Sequence, residues 1–329
     1  MLRYAARRAL QFVPTFVGVT LLVFLLLRLA PGDPATAEGD LSLMPTAASL
    51  AEWRHLKGMD QPLYTQYLRW LWSCVSFDFG TSLFDERPVR VLILEALPRT
   101  LLLTSLALVC TYALAIPLGV HSAAARGTKT DTVLSTLVFV LYSLPTFWVA
   151  LVLLVLFGGG QFWHIFPVRG LSTDGLEDAA LVVRGLDFIW HLVLPVCCLT
   201  YPGLARTSRY QRAAMLEVLS QDFVRTARAK GLSERRVIWR HAWPNALVPV
   251  LALLSVDLPW LVGGSVIVER VFTIRGMGLL TFEAILRRDY PVILGVTALV
   301  AMTTMVGMLV GDLALAWADP RIRYPARPR

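Results

Sequence analysis

A chain of 329 residues that is 56% apolar and only 16% charged, with a mean hydropathy of +0.60, lies outside the range of soluble globular domains. Its net charge of +8 does not point to nucleic acid, because the Lys and Arg residues fall in blocks between apolar runs. Cys74, Cys110, Cys197 and Cys198 form no Cys-x-x-Cys pair, so no disulfide framework and no metal site is read from them.

A bilayer core about 30 Å thick takes about 20 apolar residues of helix. Six runs qualify, roughly 10–29, 100–121, 132–157, 187–206, 245–268 and 290–317. Their length and lack of period-two alternation predict helices rather than barrel strands. The chain therefore reads as an all-α polytopic membrane protein with six transmembrane helices. Arg3, Arg7 and Arg8 precede the first run, and Arg126 and Lys129 separate the second from the third. Nine Lys and Arg lie between Arg206 and Arg240, and Arg321, Arg323, Arg327 and Arg329 close the chain. The alternate segments lean acidic, with Asp174, Glu177, Asp178 and Asp187 around Arg184. Basic loops inside put both termini in the cytoplasm, which an even number of spans also requires.

Residues 1–30 read as a tail and first span. A cationic start, an apolar stretch and Ala35-Thr36-Ala37 resemble a cleavable signal, but the run is longer than a signal core and its loss would break the parity. It is expected to stay as an anchor. Ala30-Pro-Gly-Asp-Pro34 stops that helix. Residues 31–98 form the extracytoplasmic segment, with short amphipathic helices over Leu50 to Leu56 and Pro62 to Val75. Tyr64, Tyr67, Trp70 and Trp72 lie along the membrane interface or pack on the bundle. Phe77 to Ser82 reads as a turn.

Residues 99–329 form the core. In the third span Pro145 removes a backbone donor and kinks the helix, with Ser143 or Thr146 near the freed carbonyl. In the fifth, Asp257 and Pro259 precede Gly263-Gly264. The prolines have two readings, lining of a pathway or close packing; packing is expected for the glycines. Ser143, Pro145, Asp257 and Pro259 are the candidates for lining. A carboxylate at mid-bilayer costs about 2.5–3.5 kcal/mol, so Asp257 should face the bundle interior or water. Asp312, nearer the cytoplasmic end, snorkels or pairs with Arg321 or Arg323.

The loop 207–244 is the most informative segment. Its nine cations, counted from Arg206, oppose only Glu217, Asp222 and Glu234. It reads as a short helix, a break at Gly231, and a second helix that Ser233 caps with Glu234 at its positive end. Arg225, Arg228 and Arg235 or Arg236 would project toward a partner, and Pro244-Asn245 enters the fifth span. A cationic helix–glycine–helix between two spans points to a docking surface for another protein.

These residues resemble a known family. Its loop carries Glu-Ala-Ala, three residues, Gly, nine residues, then Ile-x-Leu-Pro. Ala227, Gly231 and Pro244 fit that pattern, whereas Arg225, Thr226, His241 and Trp243 depart from it. The string from Asp222 to Val237, with Arg240-His-Ala242 and Asn245-Ala-Leu247, is similar to the dipeptide/oligopeptide/nickel branch of ABC importer permeases. So are Leu29-Ala-Pro-Gly-Asp-Pro34, Gly80-Thr-Ser82, Ile116-Pro-Leu-Gly119, Arg288-Asp-Tyr-Pro291 and Asp319-Pro-Arg-Ile-Arg323.

The resemblance implies a type I importer permease fold in a bacterial cytoplasmic membrane. It implies a second homologous permease subunit, two cytoplasmic ATP-binding subunits and an extracytoplasmic solute-binding protein. Asp222, Arg225, Thr226, Ala227, Arg228, Ala229, Lys230, Gly231, Ser233 and Glu234 would be the coupling residues. The chain has no Gly-x-x-x-x-Gly-Lys-Ser/Thr phosphate loop, so no catalytic residue, metal or cofactor is assigned. Two rivals remain. One is a secondary transporter or channel working without an ATPase, although no repeat relates the two halves. The other is an intramembrane aspartyl protease using Asp257 and Asp312, although Leu309-Val310 stands where the Gly-x-Gly-Asp signature needs glycine.

Overall fold

The computed structural model describes residues 2–29, 55, 59–158 and 162–318, with side chains between residues 10 and 313. The stop at 30–34, the stretch Leu50 to Leu56 apart from residue 55, and the tail with Arg321 and Arg323 lie outside the described residues. The described chain is helical, with one isolated bridge between Thr81 and Pro88. In order come α1 (Leu2–Leu29), α2 (Leu63–Val75), α3 (Val89–Ala124), α4 (Lys129–Ser143), α5 (Thr146–Phe157) and α6 (Leu181–Leu219). Then follow α7 (Asp222–Ala229), α8 (Glu234–Arg236), a π-helical turn (Val237–Ala242) and α9 (Trp243–Ala246). The last are α10 (Val248–Asp257), α11 (Trp260–Gly263), α12 (Val266–Val271), α13 (Met277–Arg287) and α14 (Tyr290–Ala318).

Among the described residues, five segments are long and apolar enough to cross a membrane: Leu10–Leu29, Val89–Ala124, Leu181–Leu219, Val248–Val271 and Tyr290–Leu313. A sixth is counted if α4 and α5 are one broken span, bent by 99°. Pro145 explains the bend. A residue before proline is driven to extended backbone, and Leu144 sits at φ −83, ψ 129. The bend is thus a near right angle rather than a kink. Leu141 O, the carbonyl Pro145 leaves without its helical donor, accepts from Leu144 N–H at 3.3 Å, while Ser143 Oγ donates to Phe139 O at 2.9 Å. The fifth span is also broken, into α10, α11 and α12. Pro259 ends α10. Gly264 takes φ +69, as a backbone break requires, and a Cβ on Gly263 would meet nothing within 4 Å, so Gly263 does not serve close packing. Thr104 Oγ donates to Leu261 O at 2.9 Å where the helix is interrupted.

The chain divides into two compact units, residues 1–100, 262–266 and 275–306 in one, and 101–261, 267–274 and 307–329 in the other. The first unit has its core around Phe24, Trp70, Cys74, Phe79, Ile93 and Tyr290. Phe24 of α1 stacks on Trp70 at 6.1 Å and meets Tyr67 edge-on at 5.5 Å. The turn after α2 has positive φ at Phe77 and Gly80. Asp289, only 3% exposed, pins it: Ser82 Oγ donates to Oδ2 at 2.5 Å and Leu83 N–H to Oδ1 at 3.2 Å. The two motifs Gly80-Thr-Ser82 and Arg288-Asp-Tyr-Pro291 therefore meet.

The second unit holds two apolar clusters. One gathers Leu103, Ala150, Leu192, Cys198, Val268 and Phe272. The other gathers Val120, Met215, Val218, Val224, Val237 and Ala246. Small residues let helices approach closely: a Cβ on Gly119 of α3 would stand 2.6 Å from Ser208 O of α6, and one on Gly311 of α14 would overlap Ser255 of α10.

Candidate coupling loop and intramembrane ion pair

α7 is an amphipathic helix of about two turns that buries Val224 and Ala227 and exposes the rest. Complete burial of Val224 and of Val237 contributes about 1.5–3 kcal/mol each. They insert against Val120 and Ala123 of α3 and Met215 and Val218 of α6. The loop is thereby anchored to the ends of long apolar helices. Asp222 opens α7, pairing with Arg225 at 3.7 Å, and Thr226 Oγ returns to Asp222 O at 2.9 Å. Ala229 and Lys230 are exposed at its end, and Gly231 takes φ +76 with its N–H on Arg228 O at 2.9 Å. That is the left-handed terminator which glycine supplies at least cost.

Beyond the glycine the arrangement differs from the expected second helix. Ser233 holds the N-cap position, but its hydroxyl makes no capping bond; its carbonyl accepts from Arg236 and Val237. Only one turn of α-helix, Glu234–Arg236, precedes the π turn. Pro244 has no N–H to close an α-helical bond to Arg240 O, and Asn245 Nδ2 donates to the neighbouring carbonyl, His241 O, at 2.8 Å. Trp243 N–H reaches back to Ile238 O, a five-residue step.

Arg228 does not project freely. Its guanidinium makes a two-pronged contact across Gly231, Nε to Glu234 Oε2 at 3.1 Å and Nη2 to Oε1 at 2.6 Å. The bond from Arg228 holds the Glu234 carboxyl below its ordinary value and raises the Arg228 guanidinium above its own. Both side chains are over two-fifths exposed, so the clasp contributes about 0.2–1 kcal/mol. Phe223, Arg225, Thr226 and Ala229 are left on the outward face.

Asp257, at the end of α10, is not a lone carboxylate. Arg206 Nη2 of α6 donates to Oδ1 at 2.5 Å and Tyr112 Oη of α3 donates to Oδ2 at 2.9 Å. The Asp257 side chain is 13% exposed and that of Arg206 38%. Both carboxylate oxygens of Asp257 are thus engaged by side chains of α3 and α6. Of the other candidates, Ser143 and Pro145 are exposed at the α4–α5 break and Pro259 is partly buried. A second pair was not anticipated: Arg212 Nε and Nη2 grip Asp131 at 2.9 and 2.8 Å, with Ser122 Oγ adding a bond at 2.6 Å. The signal for Asp131 was Thr128, which caps α4 and has its acid in the first turn.

Five apolar segments of membrane length, six if α4 and α5 are one broken span, and a helix–glycine–turn packed on the ends of α3 and α6 agree with comparison to known proteins. Residues 115–324 match the binding-protein-dependent transport system inner membrane component family, and residues 1–104 match the N-terminal region of such components. The chain belongs to that family. It is 38% identical over 325 residues to the oligopeptide transport system permease protein AppB of Bacillus subtilis, covering 98% of this chain and 100% of that one. It is 38% identical over 336 residues to the di/tripeptide transport system permease protein DppB of Pseudomonas aeruginosa, covering 98% and 99%. The dipeptide transport system permease protein DppB of Escherichia coli K12 is 35% identical over 343 residues, again covering 98% and 99%. Among solved structures, the MetNI methionine ABC transporter in inward-facing conformations aligns with a TM-score of 0.53 at 18% identity, covering 69% of this chain and 96% of that chain. That likeness is one of fold, the ABC importer permease fold. The chain is a multi-pass transport permease that works with other ABC subunits in a membrane.

Proposed function

We propose that this chain forms half of the translocation pathway of an ATP-driven importer of peptides in a bacterial cytoplasmic membrane. A second, homologous permease subunit supplies the other half. Two cytoplasmic ATP-binding subunits power it, and an extracytoplasmic binding protein delivers the solute to the 31–98 and 269–290 segments. The names of the relatives support peptides as cargo. Arg3, Arg7 and Arg8 at the start of α1 and the nine Lys and Arg from Arg206 to Arg240 support an orientation with both termini inside.

The observation that carries the reading is the exposed face of Asp222–Ala229, held by Val224 and Ala227 against the helix ends while Gly231 closes it. Asp222, Arg225, Thr226, Arg228, Ala229 and Lys230 meet or shape the face presented to the ATPase. Ala227, Gly231, Ser233 and Glu234 position it. Closure of the ATPase dimer moves this helix, and α6 and α10 carry the motion into alternating access. Ser143, Pro145, Asp257 and Pro259 lie at the breaks such a motion uses. A mild-detergent pull-down of the tagged chain from native membranes tests the assembly. Recovery of a second multispan subunit and ATP-binding subunits is expected. An active chain that purifies alone would instead favour a secondary transporter.

A further inference from the structure

The amphipathic helix α2 (Leu63–Val75) is too short to span a bilayer, at about 20 Å, yet it carries more apolar surface than its packing uses. Its wheel divides into three sectors. Tyr67, Trp70 and Cys74 turn inward onto the core and α1. Thr65, Gln66, Arg69, Ser73 and Ser76 form a polar arc. Between the two lies a third arc, Tyr64, Leu68, Trp72 and Val75, that is apolar and exposed, with Tyr64 at 70% and Trp72 at 74%. An ordinary surface helix has two faces, one apolar and buried, one polar. A helix with three sectors has three surroundings: protein, water and something apolar.

The position of α2 names the third. Tyr67 Oη lies 3.1 Å from Thr20 Oγ and donates to Val17 O at 3.2 Å. Arg28 hydrogen-bonds Gln66. Thr20 precedes Leu29 by nine residues, about 14 Å along α1, so α2 lies against the middle and end of a membrane-length helix. On α1 itself Leu21, Leu22, Leu25 and Leu26 are exposed. These are side chains that a spanning helix gives to acyl chains. The exposed arc of α2 continues that surface, and Trp and Tyr are the residues that settle where hydrocarbon meets headgroups.

We propose that α2 is embedded in the extracytoplasmic leaflet, with Tyr64, Leu68, Trp72 and Val75 against lipid and the Arg69 arc toward water. The surface is thus a lipid contact and not part of the docking face for the binding protein. The assignment of leaflet rests on the orientation given above; the embedding itself rests on α1 being a span.

Spin labels on single cysteines test this in the complete importer in nanodiscs, with the native cysteines replaced by alanine and transport retained. Labels at Leu68→Cys and Trp72→Cys are expected to be relaxed by oxygen and shielded from a water-soluble nickel chelate, as at Leu22→Cys on α1. The neighbouring Arg69→Cys label should show the reverse, with an oxygen-to-nickel ratio several-fold lower. Nickel access at positions 68 and 72 equal to that at 69 overturns the proposal. So does shielding that appears only when the binding protein is added, which would make the arc a protein-docking surface. If the label at position 22 is itself open to nickel, the span assignment fails first. If it is shielded while 68 and 72 are not, only the inference about α2 fails.

Discussion

Asp257→Asn is the perturbation with the sharpest expected consequence. The substitution keeps the shape of the side chain but removes the charge that Arg206 meets at 2.5 Å, leaving a guanidinium among apolar helices. Breaking one partner of a fully buried pair costs about 3–5 kcal/mol. Arg206 retains 38% exposure and can turn its head toward water, so the cost here is about 1–3 kcal/mol. The assay is a double-mutant cycle with Arg206→Met, read as unfolding free energy in mixed detergent micelles and, separately, as solute uptake. The cycle should return a coupling of about 1–3 kcal/mol, well above the 0.3–0.5 kcal/mol scatter of independent sites. Uptake should fall in Asp257→Asn while recovery of the ATP-binding subunit is unchanged, because Asp257 lies outside the α7 surface. Additive stabilities with normal uptake would refute the reasoning and leave the pair a bystander.

Three further outcomes follow from the loop. Gly231→Pro should abolish solute-stimulated ATP hydrolysis in a chain that still inserts, because proline is locked near φ −65° where the backbone needs +76; stimulation at the wild-type level contradicts this. Arg228→Glu should remove stimulation by setting like charges across the glycine, and the reversed pair Arg228→Glu with Glu234→Arg should recover most of it; a dead double variant would mean that Arg228 touches the ATPase directly. Glu234 has its folded value depressed, so its stabilising bond is fully present above the ordinary carboxylate value near 4.3 and is lost as pH falls through the depressed one. Amide exchange over residues 222–236 of the reconstituted chain, corrected for its intrinsic pH dependence, should quicken in that acid window. Glu234→Gln should flatten the step.

The spans were legible because hydropathy over about 20 residues needs no tertiary information. Gly231 was legible too, since a glycine after a short amphipathic run and before a serine has few other uses. Partnerships were not. Arg206 counted only as one of nine loop cations, and nothing in sequence brings it to Asp257, 51 residues away. Arg212 and Asp131 are 81 apart. Arg228 read as a residue for a partner protein, although Glu234, six positions on, claims it once the chain turns at Gly231. Proline signalled a kink in span three, but only the extended backbone at Leu144 shows the 99° break. The glycines at 263 and 264 carried the same letters as packing glycines, and only the empty space at Gly263 and the positive φ of Gly264 separate the two roles.

The central claim is that the face of α7 transmits ATPase closure to this permease. A photo-crosslinker placed at Thr226, which is exposed on that face, tests it most directly in native membranes. The account predicts an adduct with an ATP-binding subunit whose yield changes on addition of ATP and magnesium. An assembled, transporting importer that gives no such adduct, or one indifferent to nucleotide, would contradict it.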